Sequence, residues 1–193
     1  MLFSRQVFYV AGLIFLITAS SYAENLIKNG SFEDESKINN FNDLTQKGFQ
    51  LEFENDQWAK DWAINAALNP AAISLVEENA QEGKRFLRVK TQGATHVFYM
   101  NTFVGENSYK CSFFAKGESF EGKIPAIVLR TYFYDKAGKS IQKKQIVERI
   151  VLEKDWTLFS INLPEMEKDL MFRICFEFQG LCDLDNVSLE QIK

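Results

Sequence analysis

The chain has 193 residues, a formal net charge of −4, 46% hydrophobic and 14% aromatic residues, three Cys and one His. Charged residues make up 25% of it and are mixed in sign, which excludes a disordered chain and a coiled coil. The mild acidity argues against a phosphate-tracking nucleic-acid binder, and the lone His96 rules out a His-rich metal centre. The length suits one small domain with an appendage.

The appendage comes first. Arg5 is the one charged side chain in residues 1–23, Val7 to Ile17 is almost wholly apolar, and small residues lead to Ser21-Tyr22-Ala23. A basic start, an apolar middle and a small-residue ending is the order of an export signal cleaved after Ala23. The apolar stretch is short for a bilayer span of ~20 residues. Residues 24–193 contain no second apolar run of spanning length, so the expected product is secreted, either extracellular or periplasmic. Cleavage removes Arg5 and no acid, leaving the product more acidic.

Residues 34–57 are rich in Asp, Glu, Asn and Lys until Phe49-Gln50-Leu51-Glu52-Phe53, and read as a long loop with a candidate short strand. Beyond it the chain reads as strands. These are 86–91, 109–116, 126–134, 171–178 and 184–189, where apolar residues alternate with polar ones and β-branched and aromatic types are frequent. Gln92-Gly93, Gly105-Glu106-Asn107, Lys136-Ala137-Gly138 and Gln179-Gly180 read as the turns between them. The predicted fold is all-β, an antiparallel β-sandwich.

Alternation also assigns faces. Ile127, Leu129, Thr131 and Phe133 share one side, and Val128, Arg130, Tyr132 and Tyr134 the other. Tyr109, Cys111, Phe113 and Ala115 read as inward, with Lys110, Ser112, Phe114 and Lys116 outward. Phe172, Ile174, Phe176 and Phe178 form an apolar set opposed by Arg173, Cys175 and Glu177. Export permits disulfides, and three cysteines leave at least one thiol unpaired or joined to another chain. Cys111 inward and Cys175 outward argues against that pair. Cys175 and Cys182 flank Gln179-Gly180 and could meet across a hairpin, depending on register. No Cys-x-x-Cys spacing is present.

Two segments at opposite ends then become informative: Asn25-Leu26-Ile27-Lys28-Asn29-Gly30-Ser31-Phe32-Glu33 and Leu184-Asp185-Asn186-Val187-Ser188-Leu189-Glu190. Together they resemble the first and last strands of secreted carbohydrate-binding modules of families 4, 9 and 22, within the galactose-binding-like β-sandwich (jelly-roll) group. Glu82-Gly83-Lys84-Arg85-Phe86-Leu87-Arg88-Val89, Tyr109 through Gly117, and Trp156-Thr157-Leu158-Phe159-Ser160 are similar to further strands of that group, in order. The departure is 34–57, inserted where the family passes quickly to a Trp, here Trp58 or Trp62.

The resemblance implies a structural calcium ion where the first and last strands meet. Glu33 and Asp185 would supply carboxylates, and carbonyls near Ser31 and Lys84 would complete a shell of six to eight oxygens. It implies a poly- or oligosaccharide as partner. The outward residues Phe114, Arg130, Tyr132, Tyr134, Arg173 and Glu177 have the right chemistry: rings for the apolar faces of sugars, charged groups for their hydroxyls. Trp58 could add a stacking platform, while Trp62 and Trp156 read as core.

Catalysis finds little support. No Gly-x-Ser-x-Gly, His-Glu-x-x-His or phosphate loop occurs. Paired acids for glycoside hydrolysis must stand about 5–9.5 Å apart, which a sequence does not show. His96 with a tyrosine could abstract a proton, though a satisfied strand histidine is the plainer reading. The glycosylation patterns at Asn29 and Asn186 overlap fold motifs and read as structural. The expectation is a non-catalytic carbohydrate-binding module; the alternatives are an extracellular or envelope protein-interaction module and a small glycan hydrolase or lyase.

Overall fold

The computed structural model describes residues 24–37, 51–53, 57–65, 71–99, 102–104, 107–135, 137–141, 145–165 and 170–192. The expected export signal and most of the 34–57 segment lie outside them. Twelve strands follow one another among the described residues: β1 (Glu35–Lys37), β2 (Leu51–Phe53), β3 (Gln57–Ala59), β4 (Trp62–Asn65), β5 (Ala71–Val76), β6 (Phe86–Tyr99), β7 (Thr102–Val104), β8 (Ser108–Glu118), β9 (Ala126–Tyr134), β10 (Val147–Val151), β11 (Thr157–Asn162) and β12 (Leu170–Ile192). None of these residues is helical. β1 and β3 form a two-stranded ribbon. The rest join in one hydrogen-bonded network, antiparallel except for β2 beside β5.

That network folds into the two layers of a β-sandwich because β6 and β12 each belong to both. The first part of β12 pairs with β9 and with residues 95–98 of β6, and β10 and β4 extend this front layer. The second part of β12 pairs with residues 87–91 of β6 and with β8. β11 flanks β8 and β5 flanks β6 in this back layer. The layers meet through aromatic side chains: the rings of Phe113 on β8 and Phe176 on β12 stand edge-on at 5.1 Å.

The expected strands are present, and their inward residues are buried as alternation predicts: Tyr109, Cys111, Phe113 and Ala115 on β8, Ile127, Leu129, Thr131 and Phe133 on β9, and Phe172, Ile174, Phe176 and Phe178 on β12. Two expected turns are not turns. Gln92-Gly93 lies within β6 and Gln179-Gly180 within β12. At the second, the register with β6 shifts between Phe178 and Gly180 and Gly180 adopts φ +82°, the signature of a bulge that bends a strand without ending it. At the first, the buried Thr91 hydroxyl accepts the Gly93 N–H (3.1 Å).

This corrects the cysteine reading. With no hairpin at Gln179-Gly180, Cys175 and Cys182 sit seven residues apart on one strand. All three cysteines are free and buried. Burial pushes each thiol up to about 12, so none is a thiolate nucleophile near neutral pH.

The candidate short strand of the 34–57 segment is present as β2, and β1 adds a strand that the loop reading did not expect. Trp62 lies in the core, 5% exposed, with its indole N–H on the Asn29 carbonyl (3.0 Å). Trp156 does not: it is half-buried on the outside of the back layer, edge-on to Phe86 (5.3 Å) with the Lys116 ammonium 4.6 Å from its ring centroid.

The opening segment closes on the end of β12. The Leu26 N–H donates to the Leu189 carbonyl (3.0 Å) and the Val187 N–H to the Gly30 carbonyl (2.9 Å). Asn25 Oδ1 accepts from Ile27 and Leu189 (both 2.9 Å). Asn29 adopts φ 51° and spends its amide on the carbonyls of Asp34 (2.7 Å) and Lys60 (2.9 Å), a structural use of the glycosylation-like Asn.

Candidate functional site

The outer surface of the front layer is built by the second half of each alternation. On β9, Val128, Arg130, Tyr132 and Tyr134 are half-buried while their neighbours are buried. The ladder sets Tyr134 beside Met171, Tyr132 beside Arg173, Arg130 beside Cys175 and Val128 beside Glu177. Arg130 reaches diagonally, donating from Nε and Nη2 to Glu177 Oε2 (2.9 Å each). The Arg173 guanidinium lies 5.5 Å from the Tyr134 ring centroid. Desolvation pushes the Tyr132 hydroxyl up and the charge of Arg130 opposes it; Tyr132 therefore stays a neutral phenol able to donate and accept.

Two flanking strands widen the surface. On β10, Val147 pairs with Arg130 and Arg149 with Val128, so these residues and Val151 share the face. Val147 and Val151 are each 56% exposed, and Arg149 Nη2 donates to Gln179 Oε1 (3.2 Å). On β6, the backbone sets Phe98 opposite Cys175 and His96 opposite Glu177.

Five expected glycan residues therefore come together here: Arg130, Tyr132, Tyr134, Arg173 and Glu177. Phe114 does not join them. It lies on the outside of the back layer, paired with Asp185 and Leu158, because alternation names a side of a strand but not the layer that owns the strand. Trp58 belongs to β3, opposite Ser36 in the two-stranded ribbon, and its side chain lies outside the description. Val147, Arg149 and Val151 were missing from the sequence reading; the only sign of them was a five-residue stretch, Val-Glu-Arg-Ile-Val, too short to stand out.

The back layer carries a groove of ≈ 240 Å³ lined by Arg88, Lys116, Glu118, Lys154 and Asp183, among others. Its chemistry is largely internal. Arg88 grips the buried Asp183 through two bonds (2.7 and 2.8 Å), and Lys116 stands 3.7 Å from the same carboxylate above the Phe86 ring (5.3 Å). This cluster clamps β6, β8 and β12 together.

The expected metal residues do converge on one region, but as a backbone clamp. Glu33 Oε1 accepts the N–H groups of Lys84 (2.6 Å) and Arg85 (2.8 Å). Gly83 at φ +66° leaves the space this needs, since a Cβ there would stand 2.3 Å from Glu33 Oε1. Asp185 Oδ2 accepts from Gln81 (2.8 Å) and Glu82 (3.0 Å), and Oδ1 from Asn186 (2.7 Å). Burial pushes the Asp185 carboxyl up to about 6 against the pull of these three bonds. Among the described residues no group of three His, Cys, Asp or Glu gathers to hold a metal; the calcium shell that the resemblance implies uses two acids with backbone carbonyls near Ser31 and Lys84 and does not require such a group. Glu33 Oε1 and both Asp185 oxygens thus accept backbone N–H groups, and no step of the functional argument is routed through a metal. Excess chelator is expected to leave the melting temperature of the protein unchanged; a fall of several degrees, reversed by calcium, would restore the ion to this pole.

No protein-family model matches the sequence, and no curated protein matches it. Solved structures do match. The chain is similar to the enzymatically active domain of tailspike protein 4 of bacteriophage CBA120, with a TM-score of 0.57 and 12% identity over 87% of this chain, and it spans only 21% of that one. It is similar to a family 61 carbohydrate-binding module solved with beta-1,4-galactotriose, at 0.56 and 15%, covering 88% of this chain and 100% of the module. It is similar to a family 22 xylan-binding domain from Paenibacillus barcinonensis, at 0.55 and 14%, covering 91% and 99%. At such identities the likeness speaks for the fold alone: an antiparallel β-sandwich.

Proposed function

We propose that this chain is a non-catalytic carbohydrate-binding module, exported by its N-terminal segment, that takes a poly- or oligosaccharide on the outer surface of the front layer. The observation that carries the reading is the alternation along β9 and the start of β12. It gathers two tyrosines, the Arg130–Glu177 pair and Arg173 on one half-exposed sheet face. Rings laid against sugar C–H faces and ionic groups directed at the hydroxyl rim are the two elements such recognition requires. The likeness to modules solved as galactotriose-binding and xylan-binding domains supports the same reading. No residue of the face is assigned a catalytic role.

Titration calorimetry against a panel of soluble polysaccharides tests it, with the mixtures checked for cleaved products. Tyr132→Ala and Tyr134→Ala are each expected to weaken the best glycan about tenfold, ~1.4 kcal/mol. Wild-type affinity in both folded variants would remove the glycan from this face. Release of products would move the reading to a glycan hydrolase or lyase. The exposed Val147 and Val151 on the edge strand β10 favour a second reading, a protein partner docked beside that edge; binding of no glycan by the folded protein would bring it forward.

A further inference from the structure

We infer that the groove on the back layer is a second binding site, one that takes a single uncharged sugar unit. This goes beyond the front-face reading and does not rest on it, since the two surfaces share no residue. The register builds the groove. On the outer side of the back layer β12 runs between β6 and β8, and the ladders set Asp183 between Arg88 and Lys116, and Leu181 between Lys90 and Glu118. Lys90 stands outside the groove lining, which Lys154 completes. Lys154 comes from the connection between β10 and β11. The Gly117 N–H donates to the Glu153 carbonyl there (2.7 Å), which ties that connection to β8 beside Glu118.

The charges decide what the groove takes. Arg88 and Asp183 cancel within the clamp (2.7 and 2.8 Å). Lys116 is drawn to the same carboxylate (3.7 Å) and held against the Trp156 and Phe86 rings (4.6 and 5.3 Å). Two charges of opposite sign remain. Glu118 and Lys154 are exposed, and among the described residues the side chain of neither is engaged in an ion pair or hydrogen bond. An anion in the groove would lie against Glu118, and a cation against Lys116 and Lys154, both unfavourable. A hydroxyl is uncharged and both donates and accepts, so neighbouring hydroxyls of one ring can give to Glu118 and take from Lys154. The half-buried Leu181 supplies an apolar contact for the C–H face of that ring. At ≈ 240 Å³ the groove is smaller than the ~300–1,000 Å³ of pockets for drug-sized ligands, a size for one unit of a sugar chain. A chain leaving the groove past Lys116 would meet the half-buried Trp156 ring.

The test follows the backbone amide NMR signals of the isotope-labelled protein. It is titrated separately with β-1,4-galactotriose, xylohexaose, cellohexaose, inorganic phosphate and free glycine. The expected result is a saturating shift of the amides of residues 116–118 and 181–183 with at least one of the sugars. Glu118→Ala and Lys154→Ala, both at exposed positions and checked for folding by circular dichroism, are each expected to weaken that response about tenfold. Unchanged responses in both variants would refute the site. Sugar-induced shifts confined to residues 130–134 and 173–177 would refute it too and leave the front-face reading standing. Shifts confined to the back layer would support it and remove the glycan from the front face. Phosphate or glycine moving the back-layer amides at lower concentration than every sugar would overturn the uncharged-sugar assignment. No shift at either surface with any of the sugars would count against both sites.

Discussion

Phe176→Ala is expected to destabilise the protein by about 4 kcal/mol, lowering the melting temperature by roughly 8–16 °C for a domain of this size. Phe176 is fully buried at the point where the two layers meet. Its ring stands 5.1 Å from Phe113 of the back layer, 6.2 Å from Trp62 and 6.4 Å from Phe178. Truncation removes the transfer free energy of a phenyl group and leaves a cavity walled by other rings, which cannot close without moving strands. Leu158→Ala is the control: Leu158 is 55% exposed, so its loss should cost under about 0.5 kcal/mol. Urea and thermal melts of the two variants beside wild type decide the matter. A loss below about 1.5 kcal/mol for Phe176→Ala would mean that the layers are not joined through this ring.

Gly30→Ala is expected to cost about 3 kcal/mol, and for a reason of a different kind. A Cβ on Gly30 would stand 1.9 Å from the Val187 carbonyl oxygen. That carbonyl belongs to β12, and the neighbouring Val187 N–H donates to the Gly30 carbonyl (2.9 Å). The added methyl therefore separates the opening segment from the last strand, and the bonds around Asn25 and Leu26 weaken with it. Gly138→Ala separates space from backbone strain. Gly138 has φ +79° with nothing within 4 Å of its would-be Cβ, so that variant should lose only about 1 kcal/mol, the ordinary cost of a left-handed residue other than glycine. Equal losses at the two positions would refute close approach as the cause at Gly30.

The parts of this fold that alternation governs are readable in the residues. Period two is a local property, so the inward and outward sides of β8, β9 and β12 follow from neighbours in sequence. The bends do not follow. A Gly punctuates a chain in the same way whether it lies in a turn after a strand, as Gly138 does after β9, or at a bend within one, as at Gly180; which occurs depends on the pairing partners, here β6 and Pro125 packed against Gly180. The same gap separates the two halves of the candidate site. Tyr132 and Arg173 could be placed on outward sides, but their adjacency is a matter of register, and the departure of Phe114 to the other layer is a matter of topology. Glu33 and Asp185 were recognisable as a pair only through the resemblance of the chain's two ends to a known sandwich group. Their partners, the N–H groups of Gln81, Glu82, Lys84, Arg85 and Asn186, carry no side-chain signal at all.

The double membership of β12 has a consequence for how the molecule comes into being. β6, β8 and β9 each take this strand as a partner, and the opening residues dock on it as well. Until residues 170–192 have been synthesised, both layers lack a central member and the N-terminal segment has nowhere to attach. The pairings of β12 join residues 37 to 97 positions apart and the opening segment reaches it across about 160, so folding waits on non-local contacts and is slow. During elongation the nascent polypeptide is an array of unsatisfied edges, the condition in which chaperones bind and in which aggregation competes. A shortened product ending before residue 170 would never leave that condition.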